Sequence, residues 1–117
     1  MDPHKVKAIT DWPILTTKRE LQQFLGFVNF YRRFVKGFAK IAKPLTKLMG
    51  KTDWLWTELQ QKVFQELKNE VTSERVLIIP KPGRPFRMET DASDFAIAAI
   101  LSQMDDEGKW RPVAFLS

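Results

Sequence analysis

The side chains able to do chemistry in this 117-residue chain are carboxylates, amides and bases, because cysteine is absent and His4 is the single histidine. A metal ion would therefore need carboxylate ligands, which selects hard ions such as Mg2+ or Mn2+. Asp105-Asp106 is the one Asp-Asp pair. It follows Met104 and precedes Glu107 and Gly108, and the preference of Asp for turns assigns it to a solvated turn. Polyanion binding is the second available chemistry. Up to Trp56 the chain holds 11 Lys and Arg against 4 Asp and Glu, and beyond it 8 against 10. Arg32, Arg33, Lys36, Lys40, Lys43, Lys47 and Lys51 form a basic ladder. Phosphate contacts from such residues give affinity without sequence reading and weaken steeply as salt rises. The alternative is a solvated basic face with no ligand.

Gln22, Gly26 and Phe30 recur at i, i+4 and i+8, which places them on one stripe of a helix with Asn29 and Arg33 beside it. A glycine inside a helix costs about 1 kcal/mol relative to alanine. Its presence implies either close approach by an external backbone or ligand, or relief of helix packing, with Phe30 then in the core. Phe24, Phe27, Phe30, Tyr31 and Phe34 cover most of the helix circumference, so some of these aromatics must be buried.

The elements that position these residues follow from periodicity. Pro3 and Pro13 predict an extended lead-in over residues 1–16 that belongs to no core of its own. Thr17 and Glu20 form a capping box for a helix reaching about Val35 or Lys36, which Gly37 ends. A second helix spans Phe38 to Met49, where Pro44 kinks or restarts it, and Gly50 closes it. Thr57 and Gln60 cap a third through Val71. From Val76 the residue types change to those of strands, predicted over Phe86–Asp91, Phe95–Gln103 and Lys109–Leu116 with a hairpin turn at Met104–Gly108. The expected class is α+β, three helices followed by a three-stranded antiparallel meander, divided into regions 1–56 and 57–117. No apolar run approaches the roughly 18 to 20 residues of a membrane span, and no signal-peptide pattern is visible, so an intracellular protein is expected.

The run ELQQFLGFVNFYRRFV from Glu20 to Val35 resembles the FLG-x-x-N-[FY]-Y-R-[RK]-[FY]-[IV] segment of gypsy-like LTR retrotransposon reverse transcriptases. IAKPLTKL at 41–48, Trp56-Thr57, FQELK at 64–68, Val76-Leu77, TDAS at 90–93, ILSQ at 100–103 and RPVAFLS at 111–117 extend the resemblance over the whole chain. The resemblance implies a thumb-like helical region followed by the first strands of a truncated ribonuclease H-like fold. The arrangement also resembles the thumb track with which retroviral reverse transcriptases follow the minor groove of the primer–template, an amide, a glycine and an aromatic, which carries over to Gln22, Gly26 and Phe30. Ala98 stands where the family usually has Gly.

By the same resemblance Asp91 matches the first ribonuclease H carboxylate. That chemistry uses several carboxylates around two Mg2+ ions about 3.5 to 4 Å apart. The family's second catalytic acid lies on a helix after the third strand, beyond Ser117, and Glu89, Asp94 and Glu107 match none of its catalytic positions. The expectation is a polyprotein segment that binds Mg2+ weakly at Asp91, binds RNA–DNA hybrid or duplex through Gln22, Gly26, Asn29, Phe30, Arg32, Arg33, Lys36 and Lys40, and cleaves nothing alone. Its partners would be the hybrid and the rest of the polyprotein. The competing expectation is an interaction module, domesticated or stand-alone, that forms homo-oligomers through an exposed sheet edge.

Overall fold

The computed structural model describes residues 3–90 and 96–117, in which four helices precede a three-stranded sheet. Helix α1 is Lys7–Thr10, α2 Lys18–Asn29, α3 Phe38–Leu48 and α4 Glu58–Val71. Strands β1 (Phe86–Thr90), β2 (Ala99–Met104) and β3 (Trp110–Leu116) form an antiparallel meander in the order β1-β2-β3. This is the α+β arrangement expected from the order of the segments.

Local signals set the helix starts. The Glu20 N–H donates to Thr17 Oγ1 at 3.2 Å, satisfying an amide that has no partner within the helix. Glu20 does not complete the expected box. Its carboxylate reaches one residue further back and accepts from the N–H and hydroxyl of Thr16, at 2.9 and 3.0 Å. At α4 the box is complete, with the Thr57 N–H donating to Gln60 Oε1 at 2.8 Å.

Four further expectations are corrected. The lead-in is not coreless: it folds into α1 and buries Ala8, Ile9, Trp12 and Leu15. Helix α2 stops at Asn29, not Val35, because the chain tightens through Phe30 N–H to Phe27 C=O and Tyr31 N–H to Val28 C=O into a 3-10 turn at Arg32–Phe34. This change of path buries Tyr31 and Val35 while leaving Phe30 outside. Gly37, in a left-handed conformation (φ 71°), therefore opens α3 and does not close α2. Pro44 sits inside α3, which continues unbroken across it.

One apolar cluster joins the helical and strand regions. Trp12 meets Phe24 at 5.1 Å between ring centroids, Phe24 meets Phe64 of α4 at 4.7 Å, and Phe27 meets Phe115 of β3 at 5.6 Å. Edge-on contacts of this kind add about 0.5 to 1.5 kcal/mol each beyond the burial of area. The chain ties itself further through Lys68, whose ammonium donates to the Thr10 carbonyl at 3.1 Å and lies 4.8 Å from the Phe64 ring. Burial pushes this lysine below its ordinary range.

The β2–β3 turn is built by its acids. Asp105 is half-buried and accepts the N–H groups of Glu107 and Lys109, both at 2.9 Å. Asp106 is exposed, as expected of a solvated turn, and receives Lys81 at 2.8 Å and Arg84 at 2.7 Å. The Lys109 N–H chiefly holds Asp105 below the usual carboxylate range, and the bond from Lys81 does so for Asp106. Folded-state values below the unfolded ones mean that this stabilisation is present above the unfolded Asp value of about 3.9 and is lost as pH falls through the depressed values. Urea midpoints measured from pH 5 to pH 2 should therefore fall less steeply in Asp106→Asn than in the unmodified chain. Equal slopes would show that Asp106 carries no such linkage.

Candidate nucleic-acid interface

Helix α2 has two faces of opposite character. Leu21, Phe24, Phe27 and Val28 enter the core, whereas Gln22, Gly26, Asn29 and Phe30 face outward. Phe30 is 67% exposed, an unusual position for a large aromatic, and its neighbour Tyr31 is buried. A Cβ added at Gly26 would find no atom within 4 Å beyond the chain's immediate surroundings. The packing explanation of this glycine is thereby removed, as is the placement of Phe30 in the core. Gln22, Leu25, Gly26 and Asn29 line one wall of a shallow groove of about 330 Å3, with Phe38 and Thr46 of α3 and the following Met49 opposite.

The basic ladder runs from the Arg32–Phe34 turn along α3 to Lys51. Arg32, Arg33, Lys36, Lys40, Lys43, Lys47 and Lys51 are all exposed, and none forms an ion pair with a described residue. A surface of unpaired cations raises the local concentration of anions and speeds their encounter. The structure thus brings the expected amide, glycine and aromatic to one open face, and adds Leu25, Phe38 and Met49, which sequence periodicity assigns to the core. Only the partial exposure of these three along the α2–α3 seam shows that they also floor a groove.

The acids are arranged differently. Asp91 and Asp94 lie outside the described residues, so the match of Asp91 to a catalytic position rests on sequence. Among the described residues no three His, Asp or Glu side chains gather as a metal would require. Glu89 is half-buried on β1, with its charge acting on the Tyr31 hydroxyl. Burial first, and Glu89 second, push that phenol well above its ordinary range, so Tyr31 stays protonated at any physiological pH.

Comparison with known proteins places this geometry. Residues 56–117 match the family described as an RNase H-like domain found in reverse transcriptase. The retrovirus-related Pol polyprotein from transposon opus of Drosophila melanogaster is 40% identical, over 99% of this chain and 13% of that protein. The transposon Tf2-3 polyprotein of Schizosaccharomyces pombe is 34% identical, over 96% of this chain and 8% of its own length. The fold is similar to that of the foamy viral protease-reverse transcriptase, solved in complex with RNA/DNA hybrid. The TM-score is 0.55 at 21% identity, covering 99% of this chain and 16% of the viral one. The chain therefore corresponds to a small part of each relative, and no helix of its described residues is long and apolar enough to cross a membrane. By its match from Trp56 to Ser117 and the α+β fold that carries it, the chain belongs to the family of RNase H-like domains found in reverse transcriptase, in the form borne by retrotransposon Pol polyproteins.

Proposed function

We propose that the open face of α2 follows the groove of an RNA–DNA hybrid or related duplex while Arg32, Arg33, Lys36 and Lys40 meet its phosphates. The observation that carries this reading is the pairing of Gly26, with nothing packed over it, and Phe30, at 67% exposure, on one stripe. A helix gains nothing internally from either residue at these positions, so their use lies outside the fold. The similar viral enzyme, solved with hybrid bound, supports the choice of ligand.

Gly26→Ala separates this role from a structural one. The substitution adds a methyl in open space to a helix interior, so folding stability should rise by up to about 1 kcal/mol. Affinity for a hybrid duplex should fall by about tenfold, equivalent to about 1.4 kcal/mol. Thermal melting and fluorescence anisotropy read the two quantities on one sample. A more stable variant that binds hybrid as well as the parent rejects the groove role.

Asp91 takes the part of the first ribonuclease H carboxylate in the same reading. Mg2+ would supply water activation and leaving-group stabilisation there, but one matched carboxylate cannot hold two ions. On the match of this single carboxylate, the chain alone is proposed to bind nucleic acid without cleaving it.

A second reading has its own support in β1. Every residue of this edge strand but Glu89 is exposed, with Phe86 at 51% and Met88 at 58%. Two copies paired antiparallel about Met88 would set Arg87 against Glu89 of the other copy and continue one sheet through both. Sedimentation that shows a dimer lost in Met88→Lys would favour this reading, and a monomer at high concentration would dismiss it.

A further inference from the structure

A second groove, of about 510 Å3, lies where the Arg32–Phe34 turn faces the 81–84 loop and the β2–β3 turn. Its walls are held from within. The fully buried Gln103 side chain accepts the Lys81 N–H at 2.8 Å and donates to the carbonyls of Lys81 and Arg84 at 2.9 and 3.1 Å. Arg111 donates from Nε to the Val76 carbonyl and from Nη2 to those of Glu74 and Arg75, which anchors it to the backbone. Phe34 then lies within cation–π reach of two guanidiniums, Arg111 at 5.1 Å and Arg33 at 4.9 Å from the ring centroid.

The charges around this groove do not cancel. Asp105 is occupied by turn amides and lies 3.8 Å from Arg111, and Glu107 lies 3.6 Å from Lys109. Lys81 and Arg84 share a single carboxylate, Asp106. Arg33 has no acid among the described residues, yet its guanidinium is already oriented by the Phe34 ring. The surplus positive charge therefore sits at two points, Arg33 on one wall and the Lys81–Arg84 pair on the other. A planar guanidinium held in place, facing a pair of cations short of one anion, fits a phosphate group.

We infer that this groove takes a phosphodiester of the duplex bound along α2, with Arg33 and the Lys81–Arg84 pair on its two sides. The inference rests on the nucleic-acid reading above and extends it. Arg33 follows Phe30 by three residues, so the phosphate rail leaving the α2 face would run onto the strand region and the bound duplex would span both halves of the chain. Asp106 acts as a resident counter-anion that the phosphate displaces from Lys81 and Arg84.

Binding of a hybrid of roughly 20 base pairs to the full chain, titrated across salt concentrations, tests this directly. Lys81→Gln should weaken binding several-fold and reduce the slope of log K against log salt by about one, as expected when one phosphate is no longer neutralised. Asp106→Asn should act oppositely, tightening binding by removing the competing carboxylate, an effect that damage to the fold would not produce. Phe30→Ala should weaken binding and leave the slope unchanged. If Phe30→Ala weakens binding while Lys81→Gln and Asp106→Asn leave affinity and slope alone, the groove takes no phosphate and the α2 reading stands by itself. If sodium pyrophosphate occupies the groove and hybrid does not displace it, the site is one for free small anions and the inference fails. Absence of hybrid binding by the unmodified chain defeats both.

Discussion

Reversing Arg32, Arg33 and Lys36 to glutamate lowers affinity for an RNA–DNA hybrid by about a hundredfold at 0.1 M salt and flattens its salt dependence by nearly three in log–log slope, at roughly 0.9 for each phosphate left without its cation. The three side chains are exposed and form no ion pair with a described residue, so their reversal removes no internal salt bridge. Folding should change by less than about 0.5 kcal/mol, the usual range for surface substitutions. Anisotropy titrations between 50 and 200 mM salt give both slope and affinity, and circular dichroism confirms the fold. A triple variant that binds hybrid with the parent's salt dependence would mean that the basic ladder is a solvated surface.

Phe24→Ala is expected to cost about 3 to 5 kcal/mol, which for a domain of this size removes most of the stability. Phe24 is fully buried and contacts Trp12 of the lead-in and Phe64 of α4. Its truncation opens a cavity at the point where these segments meet. Because one cluster runs from Ala8 to Phe115, the strands should melt together with the helices in a single transition. Phe30→Ala, six residues along, is the matched control. Its ring is largely in solvent, so stability should stay within about 0.5 kcal/mol while hybrid binding falls. Chemical denaturation followed separately by tryptophan fluorescence and by circular dichroism distinguishes one transition from two. Two separated transitions would show that the helical and strand regions fold independently.

Much of this architecture is written in local chemistry. The capping residues Thr17 and Thr57 start α2 and α4, and the amphipathic spacing within each helix identifies Leu21, Phe24, Val28, Val63, Phe64 and Leu67 as core. The strands and the Asp105–Gly108 turn follow from the shift in residue types and from the preferences of Asp and Gly, which act over a few residues. Family membership is equally legible, because a long motif needs no three-dimensional information to be matched.

Tertiary packing decided the rest. Residues 7–15 carry too weak a pattern to be recognised as core, and they become so only because Phe24 and Phe27 of α2 receive Trp12 and the shared apolar cluster takes in Ala8, Ile9 and Leu15. Five aromatics around one helical run gave no means of choosing which one faces water. The 3-10 turn after Asn29 made that choice by rotating Tyr31 inward and Phe30 outward. The openness of Gly26 is likewise a property of its surroundings, since a glycine reads the same in sequence whether a neighbour presses on it or not. The groove at Arg33 depends on residues separated by about fifty to eighty positions, brought together by the buried amide of Gln103 and the backbone anchoring of Arg111. Short-range propensities determine which elements form, and long-range packing determines which of their side chains remain available to a ligand.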